Sequence, residues 1–194
     1  PCMEDRIAVC GLGTIGLLLA AFLKDAGFQH IFLIGNKDFQ KETAFKLGFS
    51  KDQFCDGRKE NVSSWIMERT IGAGADVFFE CAGRNETIAE AIDLAAVSGK
   101  VCLVGNPFTD IRIPRDVYWK ILKNQLTVTG TWNSSFTGET GDDWQYVMKR
   151  LSEKKMIPES MITHRFPIEK LEEGFRIMRD KTQDYIKIMG VFDG

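Results

Sequence analysis

Apolar residues in this chain fall into short runs, separated by longer segments in which they recur every three to four positions. The runs of strand length are Arg6–Cys10, Ile31–Ile34, a weak Gln53–Cys55, Ala75–Glu80, Lys100–Gly105 and Leu126–Gly130. Between them the spacing predicts helices. Thr14–Ala26 is apolar nearly all round, as a helix enclosed between a sheet and its neighbours must be, and Gly27 follows where a left-handed cap is wanted. In Asn85–Val97 the residues Ile88, Ala91, Ile92 and Ala95 share one face, Asn85 is the expected N-cap, and Gly99 stops the helix before the next strand. Strand and helix in alternation predict an α/β fold with a parallel sheet covered by helices on both faces.

The sheet should finish near Trp132, when six strands and their crossovers are used up. Asn133–Gly141, rich in Ser, Thr and Gly, reads as a loop, and Asp142 or Asp143 can cap the next helix. In that helix Trp144, Val147, Met148 and Leu151 form an i, i+3, i+4, i+7 stripe. A strand over Met161–Phe166, a helix over Pro167–Asp180 and a last strand over Tyr185–Phe192 follow. So small a tail buries too little apolar surface to offset its chain entropy, so it should belong to something larger. The expected division is residues 1–136 and 137–194.

Gly11-Leu-Gly13-Thr-Ile-Gly16 follows the first strand directly and opens the first helix. In that setting a G-x-G-x-x-G turn is a specific sign of a Rossmann, doubly wound, six-stranded dinucleotide-binding sheet. Gly11 permits the tight turn, Gly13 lets a pyrophosphate approach the backbone, and Gly16 brings helix and strand together. Free amides at the helix N-terminus would hold the anion. An acid is expected at the end of the second strand to bind the adenosine ribose, but the chain reads Gly35-Asn36-Lys37 there. Without the carboxylate there is no repulsion for a 2′-phosphate, and Lys37 or Asn36 could contact one, which favours NADP. Alternatively Lys37 is a solvated loop lysine and NAD binds through other groups. Cys81-Ala82-Gly83 and Val104-Gly105-Asn106-Pro107 are small-residue turns at two further strand ends on the ligand side.

Composition narrows the picture. With 44% apolar residues over 194 positions the chain can build a sizeable core, and a formal charge of −2 with mixed signs leaves no basic stripe for nucleic acid or an anionic membrane. The five cysteines, Cys2, Cys10, Cys55, Cys81 and Cys102, are widely spaced and without a C-x-x-C pair, which predicts free thiols in a reducing, cytoplasmic setting. Ile7–Leu23 is apolar for nearly the length of a membrane span, yet three glycines interrupt it and acids Glu4 and Asp5 precede it.

Several segments together resemble the medium-chain, zinc-dependent alcohol and polyol dehydrogenases. They are the Gly11–Gly16 turn, Phe79-Glu-Cys-Ala-Gly83, Gly99-Lys-Val-Cys-Leu-Val-Gly105, Leu126-Thr-Val-Thr-Gly-Thr-Trp132, Ile162-Thr-His-Arg-Phe166 and Glu172-Glu-Gly-Phe175. Gly130-Thr-Trp-Asn-Ser-Ser135 is most similar to the galactitol-1-phosphate 5-dehydrogenase and sorbitol dehydrogenase branch. The resemblance implies hydride transfer between NAD or NADP and a polyol or polyol phosphate. It implies a zinc ion held by a GroES-like catalytic domain that this chain lacks, the tail being the segment that returns to it. It places Gly11, Gly13, Thr14, Ile15 and Gly16 at the pyrophosphate and Gly35, Asn36 and Lys37 at the adenosine ribose. Cys81 and Ala82 then line the adenosine side, and Val104, Gly105, Asn106, Thr131 and Trp132 surround the nicotinamide. Lys187 falls near the pyrophosphate by the same likeness, or is a surface lysine alternating with buried Ile186 and Ile188. No catalytic residue or metal ligand is expected in this chain; His30 and His164 lack the spacing of a metal pair. The resemblance also implies a homodimer joined through the last sheet strand.

A non-enzymatic dinucleotide sensor is the competing class, which the returning tail disfavours. A short-chain reductase would need Tyr and Lys four apart in a helix, and Tyr118, Tyr146 and Tyr185 have no such partner. A methyltransferase would want the missing acid after the second strand.

Overall fold

The computed structural model describes residues 1–139, 141–156 and 158–192. In chain order the first part runs β1 (Ile7–Cys10), α1 (Thr14–Asp25), β2 (Ile31–Gly35), α2 (Asp38–Lys46), β3 (Phe54–Asp56), α3 (Val62–Arg69) and β4 (Ala75–Glu80). It continues with α4 (Asn85–Asp93), β5 (Ala95–Leu103), α5 (Arg115–Lys123) and β6 (Thr127–Gly130). The sheet order is β3-β2-β1-β4-β5-β6, every pair parallel. This is the doubly wound arrangement, and its order reverses between β1 and β4, where a crevice opens beyond the carboxyl ends of the strands.

The apolar runs are unbroken because both faces of the sheet are covered. On one face Ile7, Val9, Leu33 and Val77 pack against Leu17, Ala20 and Leu23 of α1 and Ala44 of α2. On the other, Ala8, Cys10, Phe32, Ile34 and Phe78 lie under Trp65 and Ile66 of α3 and Ala91 of α4. All four residues of β1 are buried, as a central parallel strand requires. β6, at the edge, is exposed along its whole length.

Two helix expectations are corrected. The helix beginning at Asn85 ends at Asp93, short of Val97, because the Ala75 amide donates to the Leu94 carbonyl at 2.8 Å and Ala95 pairs with Ala75. A tertiary hydrogen bond thus takes over three residues whose spacing reads as helical, and the ladder shifts register before it resumes at Lys100. Nor is Asn85 the cap; Arg84 occupies that position. The Asn85 amide donates to the Asp110 carbonyl (3.2 Å) and accepts from the Arg112 amide (2.7 Å), fastening the loop that follows β5.

In the tail, α6 (Asp143–Ser152) is capped by Asp142, whose carboxylate accepts from the amides of Gln145 (2.7 Å), Gly138 (3.0 Å) and Thr137 (3.1 Å). β7 (Ile162–Pro167) and β8 (Lys187–Val191) pair in parallel, and α7 (Leu171–Asp180) packs on both. The helix expected from Pro167 starts at Leu171, after a single 3-10 turn over Ile168–Lys170. Met161 and Ile186 complete the core around α1, which seats the tail on that side of the sheet. The α6 stripe stays in solvent: Trp144 is 56% and Met148 61% exposed.

Candidate functional site

A cleft of about 740 Å³ lies at the carboxyl ends of β1, β2 and β4. Gly11 begins it, with φ of +92°, in the region that glycine adopts freely. A Cβ there would lie 2.6 Å from the Ala82 nitrogen, so the β1 and β4 turns are in backbone contact. A Cβ on Gly16 would lie 2.1 Å from the Gly11 oxygen, whereas Gly13 has nothing within 4 Å and faces open space. α1 starts at this point without a side-chain cap and without an acid in its first turn. The Thr14 hydroxyl donates to the Ile186 carbonyl and leaves the first amides of the helix to a ligand. Unpaired amides and the positive end of the helix dipole make this an anion seat.

At the β2 end the cleft is lined by Ile34, Gly35, Asn36 and Lys37. A Cβ on Gly35 would come within 3.0 Å of Leu12 and Phe54 and 3.1 Å of Gln40, so packing as well as chemistry keeps this position small. The Asn36 amide donates to Gln40 Oε1 at 3.1 Å. Lys37 stands 5.3 Å from the centre of the Phe39 ring and has no carboxylate partner among the described residues. Nearby, the Arg58 guanidinium reaches Asp38 at 2.6 Å and Asp56 at 2.7 Å and holds both carboxyls below their usual range. Those acids are therefore paired, and the cleft-lining cations without a carboxylate partner among the described residues are Lys37, Arg84 and Lys181.

The β4 turn is organised by a residue that the sequence reading missed. Glu80 is fully buried, and its carboxylate accepts from the amides of Ala82 (2.8 Å) and Gly83 (2.9 Å) and from the Thr87 hydroxyl (2.7 Å). Its backbone carbonyl accepts from Val104 (2.8 Å) and Gly105 (2.9 Å), joining the β4 and β5 turns. A Cβ on Gly105 would sit 2.2 Å from the Gly83 nitrogen. An acid closing the apolar run Val77–Phe79, in Phe79-Glu-Cys-Ala-Gly83, was the available signal.

Of the expected site residues, Gly11, Gly13, Thr14, Ile15, Gly16, Gly35, Asn36, Lys37, Cys81 and Ala82 share the cleft wall. Val104, Gly105 and Asn106 stand beside it on the β5 turn, where Gly105 meets Gly83. Thr131 and Trp132 leave the end of β6, with Trp132 81% exposed. Lys187 is exposed in β8, opposite Ile162. The residues just before it, Gln183 to Ile186, form the wall instead, together with Arg84, Thr87, Glu90 and Phe108. These were not foreseen, because nothing in local spacing tells that the chain end folds back over the first glycine turn. Burial pushes the thiols of Cys81 and Cys55 up to about 12 and that of Cys10 higher still, so they are protonated at neutral pH and act as small apolar groups.

Sheet order, uncapped helix and glycine turn define a doubly wound domain of the Rossmann class. The chain belongs to the zinc-binding dehydrogenase family, whose profile matches residues 14–153. It is 30% identical over 174 residues to an L-threonine 3-dehydrogenase of Caldanaerobacter subterraneus subsp. tengcongensis, covering 89% of this chain and 48% of that protein. Among solved structures it is similar to 2R,3R-butanediol dehydrogenase from Bacillus subtilis, with 28% identity, a TM-score of 0.77, and coverage of 95% of this chain and 50% of that one. Galactitol-1-phosphate dehydrogenase from Escherichia coli shares the fold, with a TM-score of 0.83, 23% identity, and coverage of 95% and 53%. The chain spans about half the length of the curated relatives it matches.

Zinc does not fit the residues present. Among the described residues no three His, Cys, Asp or Glu side chains gather into a metal set. His164 is held by Thr163 (3.0 Å) and Gln183 (3.1 Å), and His30 is exposed. The long apolar stretch from Ile7 is divided into β1, the glycine turn and α1, and among the described residues no helix is long and apolar enough to cross a membrane.

Proposed function

We propose that the cleft binds NAD or NADP and that this chain is the cofactor-binding part of a dehydrogenase. The enzyme would move a hydride between the nicotinamide and an alcohol carbon of a polyol or polyol phosphate. The observation that carries the reading is the uncapped N-terminus of α1 beside Gly13, which is open to the cleft. In this reading the amides of Thr14, Ile15 and Gly16 hold the pyrophosphate, with Gly11 shaping the turn and Lys187 close by. Gly35, Asn36 and Lys37 take the adenosine ribose, and Cys81 and Ala82 flank the adenosine. Val104, Gly105, Asn106, Thr131 and Trp132 surround the nicotinamide.

The names of the relatives, L-threonine 3-dehydrogenase and butanediol and galactitol-1-phosphate dehydrogenases, each specify a small hydroxyl-bearing molecule and so support a substrate of that kind. Zinc is expected in the full-length protein, held outside this chain, and the isolated chain should bind cofactor without turnover. The reading divides the chain into a cofactor domain over 1–136 and a returning segment over 137–194. It also includes a cytoplasmic setting, which the five free cysteines favour, and a homodimer joined along β6.

Calorimetric titration with NADH and NADPH, on the wild-type chain and on Lys37→Ala, tests the site. Tighter NADPH binding that weakens in the variant supports Lys37 at a 2′-phosphate. Tighter NADH binding indifferent to Lys37 keeps the site and discards that role. Binding of neither rejects the proposal.

A further inference from the structure

Two carboxylates on the cleft wall are unclaimed among the described residues, the exposed Asp184 and the partly buried Glu90. Glu90, on the second turn of α4, lines the wall and is partly buried, yet among the described residues no hydrogen bond or ion pair reaches its side chain. Of the other acids at this end, Glu80 is committed to the β4 turn and Asp38 and Asp56 to Arg58, while Asp184 stands in solvent on the tail side of the cleft. Burial, with Asp93 beside it, pushes the Glu90 carboxyl up, as happens when a charge is taken from water without a partner. It shares the cleft wall with Cys10 of β1, Ile34 of β2 and Gly57 just past β3, the β1 to β3 half of the sheet. The wall there is otherwise largely apolar, with Cys10, Ile34, Val62 and Ala82 in it.

That half of a doubly wound sheet takes the adenosine end of a dinucleotide. A flat base fits between apolar walls, and adenine carries a single exocyclic donor, its 6-amino group. An ionised carboxylate only accepts hydrogen bonds, so it suits that group and repels the 6-carbonyl oxygen of hypoxanthine.

We propose that Glu90 reads the base of the bound dinucleotide, accepting a hydrogen bond from the adenine 6-amino group. Glu90 is thus a specificity-determining residue for the base, distinct from the Lys37 end that senses the ribose. The proposal rests on the dinucleotide reading above.

The test is calorimetry of the chain with reduced nicotinamide adenine dinucleotide and with its hypoxanthine counterpart, which differs only at the base. The wild type should bind the adenine form about tenfold tighter or more, the worth of one charge-assisted hydrogen bond. Glu90→Ala should bring the two affinities together by weakening the adenine form. Glu90→Gln, of the same size and still offering an acceptor oxygen, should keep part of the difference, which guards against a folding defect in the alanine variant. Equal affinities in the wild type, or an unchanged ratio in both variants, overturns the proposal. If Glu90 touched a ribose hydroxyl instead, its loss would weaken both forms alike and leave the ratio standing. Binding of neither form by the wild type would reject the dinucleotide site itself and the role of Glu90 with it.

Discussion

Asp25 at the end of α1 and Arg150 in α6 close a two-pronged ion pair across 125 residues of chain, with Nε and Nη2 each 2.5 Å from a carboxylate oxygen. Their side chains are only 10% and 16% exposed. Beside them the Phe22 and Tyr146 rings meet at 6.1 Å between centroids. These contacts lock the tail to the sheet on the α1 side. Removing one partner of a largely buried pair leaves the other charge without compensation. Arg150→Ala should therefore loosen the tail selectively. Amide hydrogen exchange checks this: protection in α6, β7 and β8 should fall by about tenfold or more while β1 and β4 keep theirs. A uniform loss of protection would mean that the pair supports the whole molecule and not the docking of the tail.

Gly16 offers a sharper test of the glycine turn. Its missing Cβ would sit 2.1 Å from the Gly11 oxygen, a backbone atom that cannot step aside cheaply. Gly16→Ala should cost about 1–3 kcal/mol of stability, as overpacking does, and lower the melting temperature by roughly 2–12 °C. Gly13→Ala, with open space around its Cβ, should leave melting nearly unchanged while weakening dinucleotide binding. A thermal scan of both variants beside a titration separates packing from binding.

Glu80 makes a comparable prediction at the β4 turn. Glu80→Ala strands the amides of Ala82 and Gly83, and each buried amide without a partner costs about 1–3 kcal/mol. Chemical denaturation should show a loss of about 2–6 kcal/mol. Glu80→Gln, which can still accept through its oxygen, should lose less. Equal losses in the two would mean that charge, and not hydrogen bonding, organises the turn.

Acid should unfold the protein partly through Asp76. Its carboxylate receives the Arg6 guanidinium through two bonds of 2.7 Å and the Arg6 amide at 2.8 Å, and that pairing holds its pKa below the usual carboxylate range. A depressed pKa in the folded state means that this contribution is whole above the unfolded value of about 3.9 and is lost as pH falls through the folded value. Asp76→Asn should be less stable than the wild type at pH 7, and the gap should narrow by pH 3. Urea midpoints at the two pH values measure it; a gap of constant size would remove Asp76 from the acid response.

The edge strand gives a test of assembly. β6 is exposed along its length and bears Val128, 38% exposed. Unpaired strand edges invite a second copy, and a charge there opposes pairing. Sedimentation should find the wild-type chain dimeric and Val128→Lys monomeric. A wild-type monomer at high concentration would discard the edge-to-edge dimer.

The sequence alone determined the succession of six strands along the chain and the place of the turn, because both depend on local, repeated signals. Unbroken apolar runs in β1 and β2 state that both faces of the sheet are covered, and glycines at 11 and 16 state where backbone must approach backbone, with Gly13 between them left open to the cleft. Only the tertiary structure decided where α4 stops, since the Leu94 carbonyl is claimed by Ala75 from a neighbouring strand. It alone showed that Asn85 ties a loop, that Glu80 gathers the β4 turn, and that the segment before β8 closes over Thr14. Each of those is a hydrogen bond whose partner was invisible to periodicity. Spacing along a chain records which face a residue turns to the core; it carries no record of the distant group that will satisfy a polar atom once the core has formed.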